Sequence, residues 1–185
     1  MNIVGSFFFA FLLIVRLAQM AQSGIDLLSS LLAMQSGLAV FWMIFRRKSS
    51  AEAHWTVQLL AWFSAIVPLT MRTSENAILS WLSVPGLFMM LWAFWSLGSS
   101  FAIAPAARRL IISGPYRYLR HPMYAGEFLS CLGLCIASGI IWNWIVLDLF
   151  AILLILRMRA EEKVIIGYAA KYANVVRWKL FPGVW

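Results

Sequence analysis

The stretch SGPYRYLRHPMYAG, residues 113–126, interrupts a chain that is otherwise dominated by apolar runs. It places Arg117, Arg120 and His121 within five residues of one another, together with three tyrosines and two prolines. Each proline disfavours a helical conformation in the residue before it, so we expect Gly114 and His121 to be extended or in turns. A polar, turn-rich segment between hydrophobic stretches indicates a place where a polar ligand can be held.

The composition indicates an integral membrane protein. Of the 185 residues, 63% are hydrophobic and only 12% are charged, whereas a soluble domain is about half apolar and about a quarter charged. The net charge of +8 does not indicate a nucleic-acid partner. The basic residues lie between and after apolar runs, as expected for loops that face anionic lipid.

Six stretches have about the length and apolar content of a membrane-spanning helix. We therefore predict an all-α integral membrane protein with six transmembrane helices, or five if the first stretch lies in the membrane interface. The Pro85-Gly86 pair is expected to kink the fourth helix. The last two stretches are joined by a short turn and should form an antiparallel hairpin. The stretches are residues 3–20, 25–45, 55–71, 78–97, 123–138 and 141–156.

The distribution of Lys and Arg predicts the orientation of these helices. With six helices, 13 of the 15 basic residues fall on one side, Arg72 falls on the other and Arg16 lies within the first stretch. Cytoplasmic loops carry such an excess, so both termini should be cytoplasmic. The 13 residues are Arg46, Arg47, Lys48, Arg108, Arg109, Arg117, Arg120, Arg157, Arg159, Lys163, Lys171, Arg177 and Lys179.

The hairpin predicts that two distant segments converge. Its open ends should bring His121 close to Glu161 and form a cytoplasmic cofactor pocket. We therefore divide the chain into N-terminal transmembrane helices, residues 1–98, and a cofactor-binding and catalytic region, residues 99–185. Arg157 and Glu161 are four residues apart and should share a helix face.

Simpler interpretations stand beside the functional ones. His121 could be a structural hydrogen-bonding residue, and Glu161 and Glu162 could belong to a solvated cluster at a helix end. Glu127 and Asp148 lie within predicted helices, where a charge is costly, so each should face protein or water. Cys131 and Cys135 are interpreted as small buried hydrophobic residues, and no metal site is predicted.

Two motifs resemble those of the isoprenylcysteine carboxyl methyltransferase family and its phospholipid methyltransferase relatives. Residues 116–124, YRYLRHPMY, are similar to the pattern Y-x-x-x-R-H-P-x-Y, and residues 157–162, RMRAEE, to R-x-x-x-E-E. The resemblance extends over residues 104–185. It implies an integral membrane enzyme that uses S-adenosylmethionine (SAM).

The resemblance also implies roles for individual residues, with Arg157 facing the substrate. The chemistry of SAM agrees with it: Glu161 can pair with the ammonium group, Arg120 or His121 can bind the carboxylate, and Tyr116 or Tyr124 can border the adenine. The expected cofactor-binding residues are Arg108, Arg109, Leu110, Ile111, Tyr116, Arg120, His121, Pro122, Met123, Tyr124 and Glu161.

The predicted reaction is methyl transfer from SAM to a lipophilic acceptor that enters from the bilayer, with carboxyl O-methylation of an isoprenylcysteine-type substrate favoured. Three alternatives stay open: a phospholipid N-methyltransferase, an NADPH-dependent reductase of the sterol type, and a membrane interaction protein without enzymatic activity. The related reductases usually carry an R-D-E triplet, whereas this chain has Ala160 between Arg159 and Glu161, which favours methyl transfer.

Overall fold

The chain folds as an all-α bundle in the computed structural model, which describes residues 2–45, 54–72, 81–101, 111–164, 172 and 174–183. Those residues form six α-helices and no β-strand, apart from an isolated bridge between Leu119 and Trp178. The predicted fold class is therefore confirmed. The helices are α1 (Asn2–Ser23), α2 (Leu27–Ile44), α3 (Trp55–Ile66), α4 (Val84–Leu97), α5 (Pro122–Ser138) and α6 (Ile141–Val164).

Four helical stretches in the described part of the chain are long and apolar enough to cross a membrane. Two shorter apolar helices pack among them; one is α5, and the other is α3 with the 3-10 turn Val67–Thr70 that extends it. The four longer stretches are the candidate membrane spans of an integral membrane protein. They are Gly5–Ser23, Leu27–Ile44, Trp81–Ser100 and Ile141–Lys163.

The expected kink at Pro85 is not found, and this prediction is wrong. A 3-10 turn, Trp81–Ser83, leads directly into α4 at Val84, and Pro85 lies in the first turn of that helix. Proline is well tolerated there because the amide groups of the first turn have no partner within the helix. Pro85 therefore lies in the first turn of α4 and does not bend the helix.

Helices α4 and α5 approach closely enough for their backbones to touch. A Cβ atom at Gly126 would lie 2.5 Å from the backbone nitrogen of Met90, and one at Gly86 would lie 2.3 Å from that of Ser130. Gly133 meets the backbone just before α4 in the same way. Small residues at such crossings allow van der Waals contact between helices in a membrane, where the hydrophobic effect contributes little to helix association.

The predicted antiparallel hairpin is formed by α5 and α6. Gly139, with φ at 64°, ends α5 in the left-handed conformation that glycine tolerates. The fully buried Asn143 then ties the hairpin turn to the end of α3: its Nδ2 donates to the carbonyl of Arg72, and its Oδ1 accepts from the Arg72 amide, both at 2.9 Å. Helix α6 continues past the predicted end at residue 156 to Val164.

The C-terminal tail pairs with the segment that leads into α5. The backbone amide of Arg120 donates to the carbonyl of Trp178, and that of His121 donates to the carbonyl of Lys179, each at 2.9 Å. The Arg120 side chain adds a hydrogen bond of 2.7 Å from Nε to the carbonyl of Val176. These hydrogen bonds to the tail therefore fix the position of the His121 backbone.

Candidate active site

His121 lies at the junction between the extended segment and the first turn of α5. Its backbone has φ −128° and ψ 58°, a non-helical conformation of the kind expected before Pro122. The residue is 5% exposed, and its ring stacks on that of Tyr124 with centroids 5.6 Å apart. The backbone turn and the stacking together hold the imidazole in one orientation.

The end of α6 brings two carboxylates to this imidazole. Nδ1 of His121 lies 3.8 Å from Oε2 of Glu161, and Nε2 lies 3.2 Å from Oε1 of Glu162. The glutamate side chains are 28% and 18% exposed, so both carboxylates are reachable from outside. The predicted convergence of His121 and Glu161 at the open ends of the hairpin is confirmed.

Tyr124 connects the outer and the inner part of this cluster. Its hydroxyl donates to Oε2 of Glu161 at 2.9 Å, and the guanidinium of Arg157 lies over its ring, with Cζ 4.9 Å from the centroid. Arg157 is only 4% exposed and donates from Nη1 to Oγ of Ser64 on α3 at 3.1 Å. Arg157 and Glu161 therefore lie on the same face of α6 and both contact Tyr124. Arg157 is one helical turn farther from the surface.

Glu127 lies one turn beyond Tyr124 on α5 and is half-buried. The guanidinium of Arg157 acts electrostatically on its carboxyl group, which agrees with the expectation that this glutamate faces protein. Asp148 lies instead on the exposed surface of α6. Of the two acidic residues within the helices, only Glu127 therefore adds a carboxyl group to the inner part of the cluster.

Tyr116 and Tyr172 close the cluster on the side of the tail. Burial, followed by the negative charge of Glu161, raises the pKa of the Tyr116 hydroxyl well above its usual value, so this group stays protonated at neutral pH. Burial also raises the pKa of Tyr172. The Tyr172 hydroxyl is 3.0 Å from the carbonyl oxygens of Tyr116 and Leu119. Tyr172 thereby supports the turn that carries Tyr116.

The remaining predicted residues differ in how they relate to the cluster. Pro122 is buried in the first turn of α5, and Met123 packs against the hydrophobic core. Ile111 is half-exposed at the start of the described 111–121 segment. Arg120 is one of the candidate donors to the SAM carboxylate, and in this structure its Nε donates to the carbonyl of Val176 in the tail. Arg108, Arg109 and Leu110 lie outside the residues that the structure describes.

Two contributors were not predicted from the sequence. Nζ of Lys179 donates to Oε2 of Glu162 at 3.0 Å, and Ser64 accepts the hydrogen bond from Arg157. Neither residue belongs to the two motifs, and a single serine within an apolar helix carries no distinctive signal. In the sequence, Lys179 is one of the 13 basic residues that predict the orientation, and nothing distinguishes it from the others.

The chemistry available to this cluster follows from its groups. It combines two partly exposed carboxylates with a buried histidine, a buried protonated tyrosine and a buried guanidinium one turn deeper along α6. Such a set can bind a cation at the carboxylates and an anion at the arginine. Among the described residues, no group of three or more His, Cys, Asp or Glu side chains is arranged to hold a metal ion.

Known proteins share sequence similarity with this chain. The chain is similar to the uncharacterized protein YpbQ of Bacillus subtilis (strain 168), with 26% identity over 134 residues that cover 65% of this chain and 79% of that protein. The model of the phospholipid methyltransferase family matches residues 76–169, just over half of the chain. The matched region includes α4, the hairpin of α5 and α6, and residues 111–121, which lead into α5 and are here called the histidine segment. This integral membrane protein therefore belongs to the phospholipid methyltransferase family.

Proposed function

We propose that the protein transfers a methyl group from SAM to a lipophilic acceptor at the cluster formed by His121, Tyr124, Arg157, Glu161 and Glu162, here called the histidine–glutamate cluster. The observation that carries this proposal is the arrangement along α6, where carboxylates lie at the surface and a buried guanidinium lies one turn deeper. The arrangement provides two separate binding positions: the carboxylates for a cationic ligand and the guanidinium for the acceptor. The excess of basic residues on one side supports a cytoplasmic location for the cluster.

The donor set of the cluster fits SAM. The exposed carboxylate of Glu161 suits the ammonium of the methionyl group, because charged hydrogen bonds of this kind are among the strong ones in proteins. The sequence predicts that Tyr116 or Tyr124 borders the adenine; both are buried here, and the Tyr124 ring contacts His121 and Arg157. When bound, SAM supplies an electrophilic methyl group on a sulfonium centre.

Arg157 favours a carboxylate as the acceptor. Its guanidinium is buried inside the helical bundle, where an anion is attracted more strongly than in water, and its planar donors match a carboxylate. A carboxylate nucleophile requires no general base, so the residues would act by orienting the acceptor and excluding water. An isoprenylcysteine-type carboxylate has both the required charge and a lipophilic chain that can enter from the bilayer.

A phospholipid amine is the second candidate. The description of the matched family favours it, and the half-buried carboxyl group of Glu127 offers an acceptor for a cationic headgroup. An amine must lose a proton before methyl transfer, and His121 or Glu162 could accept that proton. The two candidates therefore differ in whether a base is needed.

Titration calorimetry of the purified protein tests the cofactor assignment. We expect SAM and its demethylated product to bind, and Glu161→Gln to weaken SAM binding by about 10- to 150-fold, because losing a charged hydrogen bond costs about 1.5–3 kcal/mol. Asp148→Asn is the matched control, since it removes an exposed carboxylate from the same helix away from the cluster. Binding of NADPH without SAM would instead favour the reductase alternative.

Transfer of a radiolabelled methyl group from SAM identifies the acceptor. Prenylcysteine and phosphatidylethanolamine, each in detergent micelles, are offered separately. A carboxyl methyl ester releases volatile methanol in base, whereas a methylated amine keeps its label. We expect base-labile label on prenylcysteine. Base-stable label on the phospholipid would select the second candidate, and no transfer to either acceptor would contradict both.

A further inference from the structure

The His121 ring lies between two carboxylates, one of them within hydrogen-bond distance. Its Nε2 lies 3.2 Å from Oε1 of Glu162, and its Nδ1 lies 3.8 Å from Oε2 of Glu161. In a neutral imidazole one nitrogen donates and the other accepts, and the neighbouring groups decide which nitrogen carries the proton. Whether Nδ1, the nitrogen that faces Glu161, donates or accepts a hydrogen bond therefore depends on whether Nε2 donates to Glu162.

Glu162 is itself fixed by Lys179. Nζ of Lys179 donates to Oε2 of Glu162 at 3.0 Å, and the carbonyl oxygen of the same lysine accepts the backbone amide of His121 at 2.9 Å. A carboxylate paired with an ammonium is ionised, and its oxygens can only accept hydrogen bonds. Nε2 of His121 must then carry the proton in order to donate to Glu162.

We infer that Glu162 and Lys179 are positioning residues that hold His121 in the tautomer protonated at Nε2. Nδ1 is then an acceptor turned toward Glu161, and two acceptors 3.8 Å apart suit a ligand group with more than one N–H, such as an alkylammonium. That this ammonium belongs to SAM rests on the proposed function. The tautomer rests only on the contacts of His121, Glu162 and Lys179.

Nuclear magnetic resonance can read the tautomer directly. The chain contains two histidines, His54 and His121, so protein labelled with 15N in histidine alone gives two sets of ring nitrogens, and His54→Gln assigns them. We expect His121 to show a protonated Nε2 and an unprotonated Nδ1 at neutral pH. Lys179→Met and Glu162→Met should convert this signal into a mixture of tautomers.

Matched variants separate positioning from general damage. Lys163→Met removes an exposed lysine from the end of the same helix and should leave the His121 signals and SAM affinity unchanged. Lys179→Met and Glu162→Met should weaken SAM binding by about fivefold to tenfold, the effect of losing one well-formed hydrogen bond. Glu162→Gln has the same length as Glu162→Met but keeps an acceptor oxygen, so it should retain more of the affinity.

The outcomes distinguish this inference from the proposed function. A proton on Nδ1, an imidazolium at neutral pH, or His121 signals that do not change in Glu162→Met and Lys179→Met would overturn the inference, whether or not SAM binds. The expected tautomer and its loss in both variants, combined with an absence of SAM binding, would support the positioning role of Glu162 and Lys179 and count against the proposed function.

Discussion

At the scale of single residues, Arg157 and Glu161 lie one turn apart on α6 and both contact Tyr124. Their surroundings differ: the Glu161 side chain is 28% exposed, whereas Arg157 is 4% exposed and bonded to Ser64. The proposed roles follow from that difference, because a water-soluble cofactor would reach the outer residue and a lipid acceptor would reach the inner one. Substitutions at the two positions should therefore have separable effects.

We predict that Arg157→Ala lowers the turnover of methyl transfer by about 10- to 100-fold, the effect of a misplaced reactant, and leaves SAM affinity nearly unchanged. Arg157→Lys should restore little of the rate with a carboxylate acceptor, because an ammonium cannot present a planar pair of donors. Initial rates and calorimetry on the same preparations measure both quantities.

Arg159→Ala provides the control for Arg157, since Arg159 is exposed on the same helix two residues away. Its rate and its SAM affinity should match those of the unmodified protein. If Arg157→Ala abolished SAM binding while Glu161→Gln left it unchanged, the roles of the outer and the inner residue would be reversed.

At the scale of helices, the contact between α4 and α5 holds the histidine segment in place, because α5 begins at Pro122, directly after His121. We predict that Gly126→Ala destabilises the protein by about 1–3 kcal/mol, the usual cost of overpacking. The added Cβ would lie 2.5 Å from the backbone nitrogen of Met90, and a backbone atom cannot move aside as a flexible side chain can. Thermal unfolding in detergent measures the change.

The control for this prediction is Gly37→Ala on α2, where an added Cβ would meet nothing within 4 Å. Alanine should stabilise that helix by about 0.4–1 kcal/mol, because it restricts the unfolded chain. Equal effects of the two substitutions would show that the close approach of α4 and α5 contributes nothing to stability.

The sequence predicted the helices better than it predicted their ends and partners. Hydropathy marks where α6 leaves the apolar layer, at residue 156, but the helical backbone continues to Val164, because charged residues such as Arg, Glu and Lys are good helix formers. Pro85 was interpreted as a kink because the start of the α-helix at Val84 could not be recognised within a continuous apolar run. The contact of Gly126 with α4 depends on tertiary packing that spacing alone does not specify.

The site was predictable where a motif and a topological argument agreed. The hairpin required the segments containing His121 and Glu161 to meet, and the structure confirms their proximity. Lys179 could not be assigned from the sequence, since its approach to Glu162 depends on the path of the tail back across the start of α5. That path is a property of the folded chain and has no short-range signature.

At the scale of the whole molecule, one end of the bundle carries the histidine–glutamate cluster and the other end carries Arg72, which is held by Asn143 at the turn of the hairpin. Of the 15 Lys and Arg residues, 13 are predicted on the side of the cluster. Because an excess of basic residues marks cytoplasmic loops, this asymmetry predicts one orientation of the whole protein in its membrane.

We predict that single cysteines at positions 48 and 183, introduced after Cys131 and Cys135 are replaced by alanine, resist a membrane-impermeant thiol reagent in intact cells. Arg72→Cys should react in the same cells, because that position lies at the opposite end of the bundle. Permeabilising the membrane should expose positions 48 and 183 to the reagent, which shows that their protection comes from the bilayer and not from burial in the protein. Labelling of position 183 from outside, with protection of position 72, would invert the orientation and place the histidine–glutamate cluster on the side where cytoplasmic SAM could not reach it.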